Sequence, residues 1–388
     1  MSMSPQEFAA AKLADLEARD QLRRLSVTDR HDSVSVRRGS RELISFCCND
    51  YLNLTGDERL KQAAKAAIDR FGVGAGASRL ITGDHPLLTE LEARLAKLKG
   101  TEDAVVFGSG YLANTGIIPT LMGSGDFVLA DELSHACLLA GGQLSGATLM
   151  QFKHNDMANL KELLSEHRCS YNNCLIVTDG VFSMDGDLAP LSKLSTLANE
   201  HDAWLMSDDA HGIGVVGAGR GSSFAHEGKV NVPLQMGTLS KAIGSYGGYL
   251  CADKSVCDLL KTRARTLVYS TGLPPASAAA ALAALDIIEA EPEFCATPLR
   301  NAQRFCAALK LPDPQSPIVP LVIGSEKAAL AASEALEDAG YLVTAIRPPT
   351  VPKGTARLRF TFTAKHDAAD IDRLAACVAR LVVSQAAE

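Results

Sequence analysis

Two stretches decide the fold: WLMSDDAHG, residues 204–212, and PLQMGTLSKA, residues 233–242. Each opens on a short apolar run and closes on polar, chemically capable side chains: Asp208, Asp209 and His211 in the first, Thr238, Ser240 and Lys241 in the second. That pattern reads as a buried strand feeding a functional loop. Working outward, short apolar runs of the same kind recur at 104–107, 127–130, 175–178 and 248–252, with helical patterns between them. Together with strands at 204–207 and 233–236 they predict an α/β fold, with a mainly parallel sheet covered by helices on both faces.

The helical intervals are legible in places. Leu87, Leu88, Leu91, Leu95 and Leu98 recur at helical spacing, which predicts a helix over 87–98 with one buried face. Asp84 reads as its N-cap and Gly100 as its stop, with Glu90 and Arg94 one turn apart on the polar side. A second helix is expected after Pro274-Pro275, running to about Ala290. Beyond it, strands at 318–323 and 357–363 and helices at 328–339 and 368–383 predict a small α+β domain. The division expected is an N-terminal helical arm over 1–45, a large α/β domain over 46–292 and the small domain over 293–388.

The chain has 388 residues, 47% hydrophobic and 21% charged, with a formal net charge of −7. Those values suit a globular protein and give no basic footprint for nucleic acid. The apolar run at 276–285 is too short to span a bilayer. Residues 5–24 carry Glu7, Asp15, Glu17 and Asp20, whereas organelle presequences avoid acids, so a cytoplasmic protein is expected. None of the ten cysteines forms a C-x-x-C pair. Reduced thiols are expected, and no metal site.

One glycine motif is a decoy. Gly72-Val-Gly74-Ala-Gly76-Ala77 satisfies the loose dinucleotide pattern, but that fingerprint must follow a strand, and 60–70 reads as a helix. No G-x-S-x-G elbow, H-E-x-x-H or complete P-loop occurs, which removes the simplest hydrolase and metalloprotease readings.

The chemistry gathers elsewhere. A lysine in a glycine-rich apolar loop, as Lys241 is, loses preference for its charged form, and a neutral amine attacks an aldehyde. A carboxylate at a strand's end, Asp208 or Asp209, can hold a pyridine nitrogen protonated and make the ring an electron sink. His211 can bond a phenolic oxygen on such a ring. Gly108-Ser-Gly110-Tyr111 follows a strand and offers backbone amides for a phosphate, with the hydroxyls of Thr238 and Ser240 nearby. His135 follows 127–130 and can stack on a ring, and Ser183 follows 175–178 within DGVFSMDGD, residues 179–187. All these loops leave the C-terminal ends of strands, where ligand sites in open α/β sheets gather.

With SFCCNDYL (45–52), DGVFSMDGD, SDDAHGIG (207–214), Thr238–Lys241 and AIRPPTVPKGTARLR (345–359), the chain resembles the α-oxoamine synthases from about residue 23 to about residue 381. These are a branch of fold-type I enzymes that use pyridoxal 5'-phosphate (PLP). The resemblance implies a seven-stranded-type sheet, a PLP-dependent acyltransferase and a homodimer. It implies that Lys241 forms a Schiff base with PLP, that Asp208 rather than Asp209 holds the pyridine nitrogen, that His211 bonds the ring oxygen and that His135 stacks on the ring. Gly110, Tyr111, Ser183, Thr238 and Ser240 would line the cofactor. Arg359 would grip the amino-acid carboxylate, and Arg23, Asn49, His135 and Thr350 would lie near substrate. Ser270 or Thr271 would reach the neighbouring subunit's phosphate. Residues 345–359 are most typical of the member that joins L-alanine to a pimeloyl thioester, on CoA or a carrier protein, with loss of carbon dioxide. Sister enzymes use glycine with acetyl-CoA, glycine with succinyl-CoA, or serine with a long acyl chain. Asp179 stands where relatives also have Glu. A ligand-sensing module without catalysis would need a fused DNA-binding domain, and the arm before Ser45 is too short for a typical one.

Overall fold

The computed structural model describes residues 3–30, 34–225 and 228–385. After an exposed helix, Pro5–Ala18, the chain makes an antiparallel hairpin of β1 (Ser35–Arg38) and β2 (Arg41–Ser45). Gly39, at φ +59°, turns it tightly in a region that side chains disfavour.

The central sheet follows: β3 (Asp103–Phe107), β4 (Phe127–Asp131), β5 (Thr148–Phe152), β6 (Cys174–Asp179), β7 (Trp204–Asp208), β8 (Leu234–Thr238) and β9 (Gly248–Ala252). Their order across the sheet is β3-β9-β8-β7-β6-β4-β5. β9 runs antiparallel to both neighbours, and the other six strands share one direction. The six expected strands are all present. β5 was not expected, because it lies at the edge and buries only Phe152 of its five residues, so it lacks the continuous apolar run of an inner strand.

The period of two sorts these strands into two core layers. Ala104, Val106, Tyr249 and Cys251 join one cluster with the helices Pro86–Lys99 and Pro275–Ala290. Val105, Phe107, Leu250 and Ala252 join the opposite one with the helices Gly110–Leu121 and Lys254–Arg263. Likewise Phe127, Leu129 and Ile176 pack away from Val128, Ala130 and Val177. Both faces are covered, as the run-and-helix pattern requires.

The helix Pro86–Lys99 buries Leu88, Leu91, Leu95 and Leu98 and stops at Gly100, which is left-handed at φ +64°. Asp84 is not its N-cap. Pro86, which has no N–H to satisfy, takes the first helical position, His85 is the cap residue, and the Asp84 carboxylate accepts from Nε of Arg79 at 2.8 Å. Arg94 turns to Asp286 and Glu289 on the neighbouring helix. The decoy glycines do follow a helix, Glu58–Phe71.

A second sheet has the order β10 (Ile318–Gly324), β13 (Ala356–Thr361), β12 (Thr344–Ile346), while the two-residue β11 (Tyr341–Leu342) pairs with β2. Helices Glu326–Asp338 and Ala368–Gln385 match expectation, but Pro292–Leu309 was not expected. Pro292 starts this helix, and Pro298 lies within it. β13 positions the site: Leu358 and Phe360 enter the local core, so Arg357 and Arg359, on the alternate face, point at the loops of the central sheet. Among the described residues no helix is long and apolar enough to cross a membrane.

Candidate active site

At the C-terminal ends of β3, β4, β6, β7 and β8 a cavity of about 240 Å³ is lined by Gly110, Tyr111, His135, Cys137, Asp179, Asp208, Ala210, His211, Met236, Thr238, Ser240 and Lys241. Eight of the residues singled out from sequence, from four separate loops, therefore meet in one place. A roomier hollow of about 750 Å³ lies beside Thr266 and Tyr269, but its lining holds no carboxylate.

Lys241 stands at the wall of this cavity. Burial disfavours its charge, Asp208 and Asp179 restore part of it, and its pKa is lowered to about 8. Its Nζ lies 2.7 Å from Nε2 of His211, whose Nδ1 lies 2.7 Å from the hydroxyl of Tyr51. Burial, together with the positive charges of Lys241 and Arg359, holds His211 well below the usual histidine range, so a neutral imidazole bridges an amine and a phenol. Tyr51 is fully buried. Sequence reasoning passed over it, although its place in SFCCNDYL was the available signal.

The geometry also separates the two neighbouring acids. Asp209 is consumed by structure: Nζ of buried Lys99 donates to it at 2.8 Å, and Ser222 N–H donates at 2.9 Å. Asp208 faces the cavity, where Ala210 N–H donates to Oδ1 at 2.9 Å and Asn114 Nδ2 to Oδ2 at 2.7 Å. Replacing Lys99 with methionine would leave Asp209 charged, buried and unpaired. That variant should lose about 3–5 kcal/mol in a denaturant titration.

Asn114 extends the network. Its Nδ2 also donates to Sγ of Cys137 at 3.0 Å, and that sulfur lies 2.8 Å from Nδ1 of His135. Burial pushes the Cys137 thiol up to about 12, so it stays protonated. Nδ1 also accepts the Cys137 N–H at 3.3 Å, which leaves the His135 proton on Nε2. The His135 backbone N–H donates to Asp179 at 2.8 Å. Burial, reinforced by Asp208, raises Asp179 well above the usual carboxylate range.

Arg359 is buried. Its Nε donates to the Ser183 carbonyl at 2.5 Å and a terminal nitrogen to Asn49 Oδ1 at 3.1 Å, with the Tyr51 hydroxyl at 3.5 Å. Ser183 and Asn49 are thus brought together through Arg359, outside the cavity lining. Arg23 and Thr350 meet each other, at 2.8 Å, also outside that lining. Arg347 bonds the Asp20 carbonyl, tying the 347–350 turn to the N-terminal arm. Thr271 bridges Ser78 beside the glycine loop.

The residues fit PLP. The helix Gly110–Leu121 starts at the cavity, and its cap Ser109 engages only Leu112 N–H, so the first amides suit a phosphate. The hydroxyls of Thr238 and Ser240 lie beside it, each also donating to the Gly247 carbonyl. Asn114 Oδ1 is buried without a partner in the protein. Asp208 suits a protonated ring nitrogen and Lys241 an aldehyde. Loading of the apoprotein with PLP should accelerate as pH rises and level off above about 8, where the Lys241 amine is neutral. Stopped-flow absorbance would record it, and a pH-independent rate would contradict it.

This sheet, with a lysine and an aspartate at its strand ends, defines a fold-type I, PLP-dependent enzyme. The chain belongs to the aminotransferase class I and II family, whose sequence profile matches residues 41–378. It is 65% identical over 349 residues to the 8-amino-7-oxononanoate synthase of Methylocella silvestris, covering 90% of this chain and 99% of that one. It is 60% identical over 379 residues to the protein of the same name from Beijerinckia indica, covering 98% of each. A solved structure of serine palmitoyltransferase from S. paucimobilis, a variant with a PLP–myriocin aldimine bound, superposes with a TM-score of 0.92 at 28% identity, covering 98% of both chains.

Proposed function

We propose that this chain condenses L-alanine with a pimeloyl thioester, on CoA or a carrier protein, to give 8-amino-7-oxononanoate, carbon dioxide and free thiol in biotin biosynthesis. The observation that carries the chemistry is the cavity in which Lys241, Asp208 and His211 meet at the strand ends. The choice of substrates is supported by the names of the relatives at 60–65% identity.

PLP, when bound, supplies an aldehyde that captures an amine and a ring that takes up electrons from the α-carbon. The protein does the rest. Lys241 anchors the cofactor and, once its amine is free, removes the α-proton of alanine; a pKa of about 8 keeps a usable fraction neutral. His211, braced by Tyr51 and beside the Lys241 amine, would bond the ring oxygen of the cofactor. Asp208, oriented by Asn114 and the Ala210 amide, holds a proton at the pyridine nitrogen. His135 covers the ring, and Gly110, Tyr111, Thr238 and Ser240 hold the phosphate. Arg359 binds the amino-acid carboxylate with its planar fork, Ser183 and Asn49 steadying it. Arg23 and Thr350, bonded to each other, lie near substrate in this reading.

The same reading makes the protein a cytoplasmic homodimer, with Ser270 or Thr271 reaching the partner's phosphate, and divides the chain at residues 45 and 292. A matrix of amino acids against acyl thioesters tests the substrate choice. Alanine with pimeloyl-CoA or pimeloyl carrier protein should give the highest kcat/KM. A preference for glycine with acetyl-CoA or succinyl-CoA, or for serine with a long-chain acyl-CoA, would reassign the protein to a sister reaction.

A further inference from the structure

His154, just past the end of β5, has Nδ1 3.0 Å from Oδ1 of Asp131 and Nε2 2.9 Å from Oδ2 of Asp187. A carboxylate oxygen faces each ring nitrogen, so both nitrogens must donate and the ring is an imidazolium. Burial opposes that charge, but the two hydrogen-bonded carboxylates outweigh it, and the pKa rises to about 10. Asp131 is fully buried. The three side chains therefore form an ion triad, and no step assigned above uses it.

Each carboxylate belongs to a different functional turn. Asp131 Oδ1 accepts the Leu133 N–H at 2.9 Å and the Asp131 carbonyl accepts the Ser134 N–H at 3.0 Å, which shapes the turn that delivers His135. The Asp187 carbonyl accepts the Phe182 N–H at 3.0 Å, closing the turn in which Ser183 offers its carbonyl to Arg359. The His154 ring also meets Phe182 edge-on, with centroids 4.4 Å apart. Asn155 joins both sides, its N–H on Asp131 at 2.9 Å and its Nδ2 on Asp187 at 2.8 Å.

We propose that His154 is a positioning residue: clamped between Asp131 and Asp187, it fixes the spacing of the His135 turn from the Ser183 turn, and through Ser183 the placement of Arg359. The proposal rests on the reading that Arg359 holds the amino-acid carboxylate. A triad that only stabilised the fold would leave substrate affinity alone.

The experiment is a double-mutant cycle on His154→Gln and Arg359→Lys, at saturating PLP and acyl thioester and well below the melting temperature. His154→Gln should raise the KM for L-alanine on the order of tenfold, with a smaller change in kcat, since a displaced grip weakens ground and transition states together. In the Arg359→Lys background the same change should add little, because the two act through one contact. An unchanged KM in His154→Gln, or full additivity, would overturn the proposal. An unchanged KM in Arg359→Lys alone would instead overturn the reading beneath it. Should His154→Gln fail to fold, Asp187→Asn cuts the same clamp on its solvent side, and it must raise the alanine KM in the same direction for the proposal to stand.

Discussion

Lys241→Ala should lose turnover by a factor on the order of 10⁴ or more, because one side chain performs two tasks. The variant has neither an amine to anchor the aldehyde nor a base at the α-carbon. His211 does not replace it: burial and the nearby Arg359 charge depress its basicity even without Lys241, and its Nδ1 is engaged by Tyr51. The substitution shortens a side chain at the wall of a cavity and leaves the cores above and below the sheet intact, so melting temperature without cofactor should change little. Steady-state assays with circular dichroism separate the two effects. Turnover within tenfold of the parent would remove Lys241 from the chemistry.

Asp208→Asn should cost 10²–10³-fold in kcat, on the order expected when a group that stabilises developing charge is removed. A neutral amide of the same shape keeps the packing but cannot hold a proton on a pyridine nitrogen. The new amide would also set an NH₂ group or an oxygen against Asn114 Nδ2 and the Ala210 amide, both of which donate to the present carboxylate. One contact is lost in either orientation. The expected signature is retained cofactor binding with slowed exchange of the alanine α-proton, measurable by NMR in deuterated buffer. Unimpaired exchange would contradict the role given to Asp208.

Much of the sheet was legible because parallel strands buried on both faces leave unbroken apolar runs, and β4, β6 and β8 are buried along their whole length. β5 was not, because an edge strand has one open side and loses that signature. The helix Pro292–Leu309 opens on proline, which terminates helices in most contexts but is tolerated in a first turn.

The site divides along a different line. Lys241, Asp208, His211 and Gly110 were legible because each follows a strand whose end could be read, and strand ends share an edge. The supports were not. Tyr51 meets His211 across 160 residues, and His154 meets Asp187 across 33. Asn114 follows the Gly110 turn in sequence, but its bonds run to Asp208, 94 residues away, and to Cys137, 23 residues away. No local spacing encodes such contacts; they exist only once the loops are folded against one another. The choice between Asp208 and Asp209 was open for the same reason. Lys99, 110 residues from Asp209, pairs with that acid and leaves Asp208 at the cavity wall.

The central claim is that Lys241 is the residue that carries the cofactor. The direct measurement is borohydride reduction of the protein reconstituted with PLP, followed by proteolysis and peptide mass mapping. The account predicts one modified peptide, with the phosphopyridoxyl mass on Lys241. A reduced protein with no such mass, or with the mass on another lysine, would contradict it.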